Sequence, residues 1–90
     1  MTWGGNVSTN DRILSRVLGG ASDSNIPFNH LRQLLLRLGF EERVRDSHPI
    51  FRKNGVDERI NLQRDGSKAK VYQVRQVRAM ILKYGYGHEG

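Results

Sequence analysis

Three histidines, His30, His48 and His88, are the side chains here best suited to moving protons near neutral pH. No two of them stand at a metal-ligand spacing, so no metal is expected. With no cysteine in the chain there is no thiolate nucleophile, disulfide or Cys-ligated zinc. His48 has the most suggestive neighbours, in the run Asp46-Ser47-His48-Pro49. If the strand continues through them, Asp46 and His48 share a face, where a carboxylate favours the charged ring and fixes its orientation. Ser47 then points the other way, so a Ser-His-Asp hydrolase triad is not expected. The plain alternative is an ordinary surface histidine beside an acid. His30 falls on the polar face of a helix and His88 in a glycine-rich tail.

The second chemical feature is positive charge. Fifteen Lys/Arg against nine Asp/Glu give a net charge of +6. Residues 59–83 alone carry Arg59, Arg64, Lys68, Lys70, Arg75, Arg78 and Lys83 against Asp65, also a net of +6. Such a balance, with a sequence pI near 10.3, favours a polyanionic partner, and nucleic acid is the first candidate. Lys68 and Lys70 lie just before a helix whose first N–H groups offer a phosphate seat, and Arg75 and Arg78 extend that charge along the helix. The alternative is a solvated basic loop. Arg64-Asp65-Gly66-Ser67-Lys68 matches neither a Walker A loop nor GxGxxG. Tyr72, Phe51 and Tyr84 are too few for a base-stacking platform that reads sequence.

These residues must be positioned by elements whose periods are visible. Ser8 and Asp11 fit a capping pattern, and Ile13, Leu14, Val17 and Leu18 form one stripe of a short helix over 9–18 that Gly19-Gly20 ends. Pro27 suits the first turn of a second helix, 27–38, with Phe28, Leu31, Leu34, Leu35 and Leu38 on one face and Gly39 as its stop. The period then changes to two. Phe40, Glu42 and Val44 share one strand face, with Glu41, Arg43 and Arg45 on the other. A second strand runs over 47–53, Asn54-Gly55 signals a hairpin, and Ile60 with Leu62 marks a third strand. Residues 64–70 read as a loop. A last helix over 71–84 carries Val74, Val77, Ile81 and Tyr84 on one face.

Ninety residues allow one domain with one modest core, here placed at about 26–84, with 1–8 and 85–90 as flexible ends. The expected fold class is α+β, a two-layer sandwich with a three-stranded antiparallel sheet and helices on one face. The other face is left to solvent or to a ligand. The longest apolar run is Leu34-Leu35-Leu36, so no membrane span is expected. A polar N-terminus and the lack of cysteine fit a cytoplasmic protein.

Leu38-Gly39-Phe40, then Arg45-Asp46-Ser47-His48-Pro49-Ile50-Phe51-Arg52, then the closing helix, resemble the HicA-type mRNA interferase toxins of toxin–antitoxin systems. Their signature is a helix ending in L-G-F, a strand, and G-S-H-x-x-F or a close variant. Asn61-Leu62-Gln63, Gly66-Ser67-Lys68-Ala69-Lys70 and Tyr72-Gln73-Val74 look like a longer branch of that family. Asp46 stands where the family often has glycine, and Pro49 where a second histidine is common. The resemblance covers about 26–84 and implies a fold like a double-stranded-RNA-binding domain. It also implies an endoribonuclease that cleaves messenger RNA, and a HicB-type antitoxin protein as partner. The family's catalytic histidine falls on His48. On that reading cleavage uses no metal or other cofactor. Lys68 and Lys70 hold the phosphate, with Ser47, Arg75 and Arg78 as further RNA contacts. The alternative is a non-catalytic module that recognises A-form RNA through phosphates and 2′-hydroxyls.

Overall fold

The computed structural model describes residues 9–86, with side chains from Arg12 to Tyr86. Its elements are helix α1 (Thr9–Gly19), a 3-10 turn (Asp23–Asn25), helix α2 (Phe28–Arg37), strands β1 (Glu41–Arg45), β2 (His48–Arg52), β3 (Ile60–Asn61), β4 (Arg64–Asp65) and β5 (Lys68–Ala69), and helix α3 (Val71–Tyr84). The chain is an α+β domain with a three-stranded antiparallel sheet, β1-β2-β3, and three helices, as its hydrophobic periods imply. Ser8, read as a cap, and His88 lie outside the described residues. No helix among the described residues is long and apolar enough to cross a membrane.

Helix α2 forms because Phe28, Leu31, Leu34 and Leu35 recur at helical spacing and all four are buried. Pro27 sits one place earlier than its expected first-turn position: its backbone is extended, and its carbonyl accepts the N–H of His30 and of Leu31. Gly39, at φ +97°, turns the chain out of the helix, and the Phe40 N–H closes on the Leu35 carbonyl. That reversal drops Phe40 into the core and starts β1 at once.

The register pairs Glu42 with Phe51 and Phe51 with Ile60, which places these residues on the helix side of the sheet. Phe51, Ile60 and Leu62 are fully buried there against α2 and α3. Removing the Phe51 ring from such a site costs about 3–5 kcal/mol. In α3, Val74, Val77, Met80 and Ile81 complete the core. The one buried polar side chain among the described residues, Gln73, accepts from the Gln63 N–H and donates to the Asn61 carbonyl, pinning the exit of β3 to the helix.

Several expectations are corrected. The core begins earlier than 26, since Ile13 and Val17 of α1 are buried in it. It also extends past 84: Gly85 caps α3 in the left-handed conformation and Tyr86 returns to pack edge-on against Phe40. Residues 64–70 are not a plain loop but a two-residue hairpin, β4–β5, turning at Gly66 (φ +65°) and Ser67. Its second strand docks on the entrance to α2, where Phe28 N–H bonds to Ser67 and Ala69 N–H to Ile26. A strand continuing through Asp46 and Ser47, the condition for Asp46 and His48 to share a face, is not formed. Asp46 and Ser47 have positive φ, 53° and 68°, and form the two-residue turn between β1 and β2. Asn54-Gly55 does turn the chain, yet within a longer connection from β2 to β3.

Candidate nucleic-acid interface

The β1–β2 turn puts Ser47 and His48 at the tip of the hairpin, both exposed. Beside the tip runs a groove of about 550 Å³, lined by Ser47, His48 and Pro49 of the hairpin, by Gln63, Arg64 and Lys70, and by Phe28 and Arg32 of α2. Three distant segments therefore meet: the hairpin, the N-terminal turn of α2, and the residues leading into α3. The docking of β5 on Ile26–Phe28 is what holds the third segment in place.

Of the residues named from the sequence, the groove gathers Ser47, His48 and Lys70. Lys70 is the N-cap of α3, and its carbonyl takes the N–H groups of Gln73 and Val74. Lys68 turns away from this groove and donates to Asn25 Oδ1 at 3.1 Å. Arg75 and Arg78 face the 3-10 turn, where both meet Asp23. Arg78 makes contacts of 3.0–3.3 Å with both carboxylate oxygens, and a further bond to the Val17 carbonyl. Its hydrogen bonds, backed by Arg75, hold the Asp23 carboxyl below its ordinary value despite partial burial. Arg78 is thus engaged in joining α3 to α1 rather than standing free beside Lys70. Gly20, at φ +78°, lets the chain pass this clamp, since a Cβ there would meet the guanidinium at 3.2 Å.

The pairing of Asp46 with His48, possible only on a continuous strand, is not formed. Asp46 is a turn residue, His48 opens β2 opposite Arg45, and no hydrogen bond or ion pair joins the two side chains. His30 is half-buried on α2, with Nδ1 lacking a partner among the described residues. Among the stacking candidates, Phe51 is core and Tyr84 is bound through its hydroxyl to Glu58, which leaves Tyr72 exposed. No three His, Asp or Glu side chains among the described residues come together as metal ligands.

Two groove residues, Arg64 and Arg32, stand out in the sequence only through their charge. Arg64 lies over the Phe28 ring at 4.0 Å, which fixes its guanidinium at the groove wall. Arg32 forms a two-pronged pair with Glu42, at 2.6 and 2.8 Å, so the groove's acid is neutralised. A two-residue-hairpin reading of Gly66-Ser67 could have brought Arg64 to Lys70, because β4–β5 pairs Arg64 with Ala69. Comparison with family models, curated proteins and solved structures finds no match to this chain.

Proposed function

We propose that the chain is a toxin endoribonuclease, an mRNA interferase of a toxin–antitoxin system, that cleaves RNA at His48 without a metal. The observation that carries this reading is that Ser47, His48, Arg64 and Lys70 line one groove, a proton-transfer group and two cations around the same space. His48 takes the proton of a ribose 2′-hydroxyl, and the oxygen forms a bond to the adjacent phosphorus. The P–O5′ bond breaks, and the leaving oxygen takes a proton from water. Lys70 and Arg64 offset the charge growing on the phosphoryl oxygens. The products are a 2′,3′-cyclic phosphate and a 5′-hydroxyl.

Two further features support it. The HicA-type pattern often has glycine where this chain has Asp46, and Asp46 adopts the left-handed φ that glycine takes most readily. Ser47 holds the same conformation, and local strain of this kind collects at functional turns. A small acidic antitoxin of HicB type is the partner that this reading carries, and the cytoplasm its compartment.

One observation favours the second reading, a non-catalytic RNA-binding module. The groove's carboxylate, Glu42, is locked on Arg32 and supplies no second proton-transfer group. Expression in a bacterial host separates the two. The ribonuclease arrests growth and loses that effect on His48→Ala, whereas the binding module leaves growth and transcripts intact.

A further inference from the structure

The side of the sheet away from the helices bears a surface that counting charges along the chain conceals. Residues 41–58 carry five acids against four cations, so this stretch has no basic excess. Strand alternation sorts them. Glu42 goes to the helix side and Asp46 to the turn, while Arg43, Arg45 and Arg52 go to the open face with His48 and Ile50. Arg59, just before β3, joins them one place beyond the Phe51–Ile60 pair, alongside Arg52. The result is a shallow concavity of about 670 Å³ holding four guanidiniums and one acid, Glu41.

These four differ from the arginines that are tied into the fold. Arg16, Arg32, Arg75 and Arg78 each donate to a carboxylate or carbonyl, whereas none of the four has a hydrogen bond or ion pair among the described residues. Arg52 and Arg59, alongside each other, repel, and a bound anion relieves this. Arginine's planar fork matches phosphate oxygens in pairs and lies flat on a base. His48, directly opposite Arg45, stands where this face meets the groove.

We propose that the open face of the sheet is a track for the phosphate backbone of single-stranded RNA, running from His48 past Arg45 and Arg43 to Arg52 and Arg59. The inference rests on RNA being the ligand of the His48 groove and adds where the rest of the strand lies.

The test uses a short fluorescein-labelled 2′-O-methyl RNA, which lacks the attacking hydroxyl, so the intact wild-type protein can be titrated. Each phosphate contact to a single strand contributes about 0.7 to the slope of log affinity against log salt. Arg43→Gln with Arg52→Gln is expected to make that slope shallower by about 1.4. Glu41→Gln is expected to tighten binding, a gain that a folding defect cannot produce. An unchanged slope in the double variant overturns the track. If that variant still cleaves unmodified RNA at wild-type affinity, the His48 reading stands without it. Wild-type protein that binds no RNA overturns both. Loss of poly-glutamate binding with RNA affinity untouched assigns the face to an acidic protein and likewise overturns the track.

Discussion

Arg78→Met separates a structural arginine from an RNA-binding one. The guanidinium makes three contacts with Asp23 and one with the Val17 carbonyl, and the two side chains are 23% and 11% exposed. A fully exposed pair of this type contributes about 0–1 kcal/mol, and loss of one partner from a buried pair costs about 3–5 kcal/mol. This clamp lies between those limits, and methionine keeps the packing of the stem, so a cost of about 2 kcal/mol is expected. For a domain of this size that lowers Tm by roughly 8–16 °C. Arg75, at 3.4 Å from Asp23, retains only part of the interaction. Asp23→Asn combined with Arg78→Met is expected to cost little more than Arg78→Met alone, since both remove the same contacts. The assay is thermal unfolding followed by circular dichroism, paired with a salt titration of RNA binding. A lower Tm with an unchanged salt slope is expected. An unchanged Tm with a slope shallower by about 0.7 refutes the clamp and makes Arg78 a phosphate contact.

Acid should expose the same clamp. The carboxyl of Asp23 is held below its ordinary value of 3.8, so the folded state binds fewer protons than the unfolded one just below that pH. Its contribution is present above 3.8 and is lost as pH falls through the lowered value; Asp23→Asn flattens this acid limb, and parallel Tm–pH curves count against it. Ser47→Gly removes a left-handed strain of about 1 kcal/mol, partly offset by glycine's freedom in the unfolded chain. It should raise Tm slightly while weakening RNA binding, and a lower Tm contradicts the turn geometry. Replacing Lys68 and Lys70 together should weaken RNA binding more than replacing Arg12 and Arg16, with Lys70→Gln giving most of the loss because Lys70 lines the groove. Equal losses in an anisotropy titration of the two pairs remove the groove from the account.

The helices were legible because their signals are redundant. Phe28, Leu31, Leu34 and Leu35 repeat at helical spacing, and Gly39 stops the run; α3 matches its expected bounds of 71–84. What the sequence hid was turn chemistry. Asp46-Ser47 carries no glycine, so nothing in the residue types announces two successive positive φ values. Reading it as a continuous strand put Asp46 beside His48, and the turn parts them. The β4–β5 hairpin was hidden for a different reason: only Ala69 among its strand residues is buried, so no apolar alternation marks it. The sequence named three residues of the candidate groove one at a time, Ser47, His48 and Lys70, but not the groove. Its assembly depends on β5 docking beside Pro27, a contact across forty residues of sequence that no local pattern encodes. A cation's spacing along a helix says nothing about which acid waits opposite, and for Arg75 and Arg78 that acid is Asp23.

If His48 does chemistry on RNA, the ends of the cleaved strand reveal it. Purified wild-type protein is incubated with single-stranded RNA in EDTA, and the fragments are analysed by mass spectrometry beside those from His48→Ala. His48 is exposed at a hairpin tip, so the variant is expected to melt as the wild type does. Fragments ending in 2′,3′-cyclic phosphate are expected from the wild type and intact RNA from the variant. Equal cleavage by a folded His48→Ala protein, or fragments ending in 3′-hydroxyl, contradicts chemistry at His48.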